Sequence, residues 1–323
     1  MTNTIFQVIT VTLNPAIDQT ITIRDFTAGT VNRVESVRSN PGGKGVNVAS
    51  ALADYGHNVA ATGFLGRENA AAFEELLERK DIADHFVRIA GQTRVGIKIS
   101  DPERGETTDI NYPGTTPAPE ELDALRQQLI ELSSLDHAWI VLAGSVPPGV
   151  DRAIYRELTE MFRGTGQKVV LDASGESLRH ALEAAPHIVK PNIHELEDLV
   201  GRKLDTREDI VEAARTFIAR GTVLVAISMG AEGALFVTAD DVVHARPPAI
   251  QVRSTVGAGD AMVAGIIAAQ LRELPLADCA RLATAFSLDA LVRGESGITS
   301  HAAIEAFMQE VTLSCSATAA NSG

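Results

Sequence analysis

Residues 254–265 read STVGAGDAMVAG: a run of small residues, then a single carboxylate, Asp260, at the mouth of an apolar segment. A glycine-rich turn ahead of a helix offers bare backbone N–H groups to a phosphate. Gly257, Ala258 and Gly259 could form such a cradle, reinforced by the helix dipole. An Asp at a helix start is also a common cap. Phosphoryl transfer, however, needs both an anion cradle and a group that takes the proton of the attacking hydroxyl. Asp260 would be fixed by the same turn that fixes the phosphate, which makes it the candidate base. The N–H donors and the dipole are expected to keep it ionised.

Three further segments carry chemistry-bearing residues. In NPGGKGVNVASALADYG (40–56), Gly42 and Gly43 allow close backbone approach, Lys44 adds a cation, and Asn47 falls one turn into the following helix on the same side. This is no Walker A loop, because its first glycine would have to be residue 38, which is Arg38; nor is it G-x-G-x-x-G after a strand. A plain loop stays open beside a ligand loop. In VKPNIHELEDLVG (189–201), His194-Glu195 does not begin an H-E-x-x-H zinc site, since Asp198 stands four residues on. There Asn192 and Glu195 fit a helix capping box. They equally fit a place beside hydrated Mg²⁺, which suits a single carboxylate acting through water. AISMGAEGALFV (226–237) is a strand, a glycine-rich turn and a second strand; it suits an adenine or phosphate contact or a simple hairpin.

The elements that must position these residues alternate. Apolar runs at 6–13, 57–66, 138–144, 168–174, 187–192 and 223–230 read as strands, several of them covered on both faces as in parallel sheets. Helical patterns lie at 43–56, 69–81, 119–134, 150–166 and 206–221, and 261–271 reads as a buried helix. The alternation predicts an α/β sheet with right-handed crossovers. Segments 18–40 and 93–114 break the rhythm with apolar–polar alternation and no helix to cover a second face. They predict a small antiparallel sheet acting as a lid, with an open face suited to a dimer contact. The expected organisation is a core of 1–17, 41–92 and 115–312, a lid of 18–40 and 93–114, and a disordered tail at 313–323.

A net charge of −14 argues against binding nucleic acid or an anionic membrane, so a phosphate-bearing ligand must be held locally. The N-terminus lacks the basic start of a signal peptide, and 261–271 is too short to span a bilayer. Two cysteines without metal-ligand spacing fit reduced thiols in a cytoplasmic protein.

Taken together, PGGKGVNVASALADYG, N-x-x-E at Asn192–Glu195 and STVGAGDAMVAG resemble the PfkB (ribokinase-like) family of sugar kinases, in the family's order and over roughly residues 5–310. The resemblance implies a Rossmann-like, mostly parallel sheet with helices on both faces and a small β lid. It implies ATP and Mg²⁺ as cofactors and a sugar alcohol as acceptor. The family's acceptor-site residues fall on Asp18, Gly42, Gly43, Lys44, Asn47, Arg94 and Ser145. Its donor-site residues fall on Lys190, Asn192, Ser228, Gly230, Gly233 and Thr255, with Glu195 holding the metal through water. The anion hole falls on Gly257, Ala258 and Gly259, and the base on Asp260. Gly96 stands where the family more often carries Asn. Lys44 and Arg94 are cations suited to a phosphate on the acceptor. Lys44 does not separate the sugar phosphates, but the resemblance of TRVGIK and TDINYPG favours the 6-hydroxyl of fructose 1-phosphate. Tagatose 6-phosphate and fructose 6-phosphate are the sibling acceptors. A non-catalytic sugar-phosphate sensor is the rival class, which an intact Asp260 disfavours. A homodimer through the lid is the expected assembly.

Overall fold

The apolar runs become strands whose side chains are buried on both faces. A computed structural model of the chain describes residues 6–133, 138–293 and 297–317. The first half runs β1 (Val8–Thr12), β2 (Ala16–Thr22), β3 (Ser36–Gly42), α1 (Lys44–Asp54), β4 (Val59–Gly66), α2 (Ala71–Arg79), β5 (Ala83–Ile89), β6 (Arg94–Asp101), β7 (Glu106–Asn111) and α3 (Pro119–Ser133). It continues with β8 (Trp139–Ala143), α4 (Ile154–Gly164), β9 (Lys168–Asp172), α5 (Gly175–Leu182), β10 (Ile188–Val189), α6 (Ile193–Val200), α7 (Arg207–Ile218) and β11 (Leu224–Ser228). The chain then forms β12 (Ala234–Val237), β13 (Asp241–Arg246), α8 (Ala258–Leu271), α9 (Leu276–Arg293), α10 (His301–Glu310) and β14 (Thr312–Ala317).

Ten strands form one sheet in the order β14-β13-β12-β11-β10-β9-β8-β1-β4-β5. From β5 to β11 every pairing is parallel; β12, β13 and β14 add antiparallel. Apolar side chains of α1, α2, α8, α9 and α10 cover one face, and those of α3 to α7 cover the other. This is the expected α/β class with helices on both sides. From β1 the chain order runs outward in both directions, to β4 on one side and β8 on the other. Crevices at the carboxyl ends of strands beside such a reversal are where open α/β sheets bind ligands.

Helix α8 is buried from Asp260 to Ala269 and packs on α1 and α9. Its apolar character on all sides follows from that enclosure: no side of it faces water.

A separate four-stranded sheet, ordered β3-β2-β6-β7, stands over the crevice. β2–β3 and β6–β7 are antiparallel, and the central β2–β6 pair is parallel, because the two insertions enter the sheet in the same direction. Alternation gives it two unlike faces. One carries Asp18, Lys98 and Asn111; the other carries Ile21, Val37, Ile97 and Ile110, with Val37 and Ile110 exposed.

The expected disordered tail is corrected over 313–317. These residues belong to β14, paired antiparallel with β13, where Val243↔Cys315 and Ala245↔Leu313 lie in register. The Ser- and Ala-rich composition reads as a disordered tail, yet 313–317 satisfy an open sheet edge through backbone hydrogen bonds, and Leu313 packs on the core. Residues 318–323 lie outside the described residues.

Candidate active site

A cavity of about 790 Å³ opens at the carboxyl ends of the central strands, beneath the polar face of the small sheet. Its floor is built where parallel strands stop: Asn14 after β1, Gly144 and Ser145 after β8, Asp172 ending β9, Lys190 after β10, and Ser228 ending β11.

Asp260 sits in the first turn of α8 and is 7% exposed. The N-cap, Gly257, has φ 79°, a left-handed conformation that glycine adopts without a Cβ penalty. That turn leaves the first amides of α8 aimed outward as unpaired donors. Lys190 Nζ lies 3.2 Å from where a Cβ on Gly259 would stand, so an ammonium and a helix N-terminus meet at one point. This geometry fits a phosphate group. Asn47 Nδ2 donates to Asp260 Oδ2 at 2.7 Å, orienting the carboxylate. Burial and the neighbouring Asp172 charge push the Asp260 pKa up to about 6, against the pull of Lys44, Asn47 and Lys190. Burial thus weakens the acid, and above about pH 6 the carboxyl is ionised.

Asp172 was not singled out by motif. It is fully buried, and it accepts from Lys44 Nζ at 2.8 Å and pairs with Lys190 Nζ at 3.5 Å. The two ammonium groups hold its carboxyl below the usual range despite burial. Burial alone would depress the Lys44 pKa, but the charges of Asp172, Asp260 and Glu195 outweigh it and raise it. Lys44, expected to meet a sugar's phosphate, is paired with Asp172 and stands beside Asp260 in the cavity wall. An Asp closing the apolar strand KVVLD at the carboxyl edge of a parallel sheet was the available signal.

Asp18 projects from β2 and accepts from Lys98 Nζ at 3.0 Å. A Cβ on Gly42 would lie 2.6 Å from Asp18 Oδ2, and one on Gly96 would lie 2.9 Å from Oδ1, so both glycines make room for this carboxylate. Asn111, the strand partner of Gly96, brings its own carboxamide to the same place. Arg94 begins β6 and donates to the carbonyls of Asn14 and Tyr112. Ser145 Oγ accepts from Asn14 Nδ2 at 3.1 Å.

Asn192 and Glu195 do form a capping box on α6: Asn192 Oδ1 accepts from the Glu195 amide at 2.8 Å, and Glu195 Oε2 accepts from the Asn192 amide at 2.9 Å. Both also line the cavity, so cap and site coincide. A parallel bridge from Asn192 to Ser228 draws β11 alongside. Among the described residues no three His, Cys, Asp or Glu side chains converge as a metal centre. A divalent ion here would be held by single carboxylates, water and phosphate oxygens.

The cavity wall therefore gathers Asp18, Gly43, Lys44, Asn47, Arg94 and Ser145 with Lys190, Asn192, Glu195, Ser228, Gly257, Gly259 and Asp260. Gly42 lies behind Asp18, and Ala258 supplies only backbone. Gly230, Gly233 and Thr255 are outside the wall: the two glycines belong to the turn between β11 and β12, and Thr255 is exposed ahead of the cradle. Asn14, Asn111, Tyr112 and Arg152 are also in the wall; Asn111 and Tyr112 lie in TDINYPG but were not singled out as site residues, and Arg152 carries no motif.

A helix-end cradle with a buried carboxylate, set in a parallel α/β sheet beneath a β lid, defines a sugar kinase of the ribokinase-like fold. Residues 11–302 match the family described as pfkB family carbohydrate kinase, and the chain belongs to that family. Membership implies ATP as phosphoryl donor. The chain is 50% identical over 291 residues to the 1-phosphofructokinase of Rhodobacter capsulatus, covering 90% of this chain and 92% of the relative. It is 38% identical to the 1-phosphofructokinase of Escherichia coli K12, covering 95% and 98%. Phosphofructokinase-2 from Escherichia coli, solved with substrates and products, superposes with a TM-score of 0.88 at 28% identity, covering 94% of this chain and 98% of that one. Among the described residues no helix is long and apolar enough to cross a membrane.

Proposed function

We propose that the chain is a 1-phosphofructokinase, transferring the γ-phosphoryl group of ATP to the 6-hydroxyl of fructose 1-phosphate to give fructose 1,6-bisphosphate and ADP. The observation that carries it is Asp260: a buried carboxylate aligned by Asn47 at the amide cradle of α8, in one cavity with the cations of the lid. The relatives named 1-phosphofructokinase, at 36–50% identity, support the choice of acceptor. Asp260 takes the proton from the attacking hydroxyl. The amides of Ala258 and Gly259 and the ammonium groups of Lys190 and Lys44 receive the charge that develops on the transferring group. Asp18, held by Lys98, binds sugar hydroxyls, and Arg94 binds the phosphate the sugar brings. Asn192 and Ser228 flank the donor phosphates, with Gly230, Gly233 and Thr255 on the approach. Glu195 would hold Mg²⁺ through water, and the ion would neutralise phosphate charge.

The apolar outer face of the lid supports a homodimer. On this face Val37 and Ile110 are exposed and Ile21 and Ile97 half-buried, and a two-fold pairing of lids would bury them.

The deciding experiment measures ADP release with ATP–Mg²⁺ against fructose 1-phosphate, fructose 6-phosphate, tagatose 6-phosphate and free fructose. Preference for fructose 1-phosphate by kcat/KM is expected. Preference for a 6-phosphate would overturn the acceptor, and no ADP release with any sugar would favour a sensor.

A further inference from the structure

Five cationic side chains line the cavity: Lys44, Arg94, Lys98, Arg152 and Lys190. Three are already ion-paired, Lys44 and Lys190 sharing Asp172 and Lys98 on Asp18. Among the described residues Arg94 and Arg152 make no ion pair. Their hydrogen bonds go to main-chain carbonyls, Arg94 to Asn14 and Tyr112 and Arg152 to Val146 at 3.1 Å.

A short path joins the two guanidinium groups. The Asn14 carbonyl accepts from Nε and Nη2 of Arg94 at 3.3 and 3.2 Å. The Asn14 side chain donates to Ser145 Oγ at 3.1 Å, and the next residue, Val146, carries the carbonyl that anchors Arg152. The anchors leave N–H groups spare on both forks, since a guanidinium has five and a carbonyl takes few of them. A dianionic phosphate is the chemistry that such unneutralised planar forks match, two N–H groups to two oxygens.

We propose that Arg152 is the second phosphate-binding residue of the acceptor site, gripping with Arg94 the phosphate that the sugar already carries. The inference rests on the sugar-phosphate specificity proposed above and deepens it. Arg94 belongs to the small sheet and Arg152 to the turn ahead of α4 in the main body. A phosphate held by both therefore ties lid to core, and a sugar lacking it loses that tie. Arg152 is exposed at the rim, where it meets the phosphate without strain on the core.

The test compares wild type, Arg152→Ala and Arg152→Lys with fructose 1-phosphate and with free fructose. In Arg152→Ala, KM for fructose 1-phosphate should rise about 10- to 100-fold, the range for a lost charged hydrogen bond. KM for ATP and the kcat/KM for free fructose should stay within about twofold of wild type, and Arg152→Lys should recover part of the loss. An unchanged KM for fructose 1-phosphate, or equal losses with both sugars, overturns the assignment of Arg152. If wild type instead prefers a 6-phosphate, the acceptor proposal fails while Arg152 is judged by the same comparison on that sugar. A wild type that takes no sugar phosphate overturns both.

Discussion

Asp260 and Asp172 share a buried corner with two lysines, and their charges set each other's behaviour. With a pKa of about 6, Asp260 is ionised above that pH and can act as a base there. The acid limb of the kcat/KM profile, which reports the free enzyme, should therefore fall near pH 6. Asp260→Asn should lower kcat by about 10²–10⁴ with little change in KM; near-normal turnover would remove Asp260 as the base. The same shift bears on stability. An unfolded Asp ionises near 3.9, so at neutral pH the folded state holds a charge that it binds protons to suppress, at a cost of up to about 3 kcal/mol. That cost is fully present above the folded pKa and fades as pH falls toward 4. Asp260→Asn should thus melt above wild type at pH 7–8, with the gap closing toward pH 4. Asp172→Asn acts oppositely on the fold: it strips the partner from two lysines, at about 3–5 kcal/mol for a broken buried pair. Removing its negative charge should also move the acid limb to lower pH. An unmoved limb in a folded variant would mean that Asp172 does not act on the base.

At the level of elements, α6 shows how a helix start can hold two duties. The Glu195 carboxylate closes the capping box on the Asn192 amide and also lines the cavity. The duties separate chemically, because a Gln at the third helix position can make the same reach-back bond but carries no charge. Glu195→Gln should keep the wild-type Tm and need about tenfold more Mg²⁺, or more, for half-maximal rate. Glu195→Ala should lose both, with about 1 kcal/mol of stability gone with the cap. Unchanged Mg²⁺ dependence in Glu195→Gln would leave Glu195 with its cap alone. Helix α8 differs from α6 in having no side-chain cap at all. Its first amides are left to the cavity, which is what a cradle requires.

Across the whole molecule, the small sheet separates two environments. Its inward residues Asp18, Lys98, Arg94 and Asn111 face the cavity, and its outward residues include exposed Val37 and Ile110. A half-exposed apolar sheet face of this kind is costly in water and is relieved by pairing. Val37→Asp combined with Ile110→Asp should convert a dimer to a monomer in sedimentation velocity. A wild type that sediments as a monomer at micromolar concentration would show that the face is left open.

Much of the site was legible because the signals are local. A glycine turn before an apolar helix, N-x-x-E across a helix start and the strand-like insertions each depend on residues a few positions apart, so their chemistry survives in one dimension. The strand and helix alternation likewise follows from periodicity, and with it the α/β class. What only the tertiary structure decided is which charges meet. Lys44 lies 128 residues from Asp172, and Asn47 lies 213 from Asp260. Those pairs exist because β1, β8, β9 and β10 end side by side and α1 and α8 pack together, an order that no local pattern encodes. Lys44 was legible as a cation but not as the partner of Asp172, and Arg152 carried no motif at all. Residues 313–317, LSCSA, alternate apolar with polar residues, but they are short, mostly small and continuous with a tail of Ser, Ala and Asn that masks the pattern. They became a strand because β13 offered an open edge, and backbone hydrogen bonding is indifferent to side-chain identity.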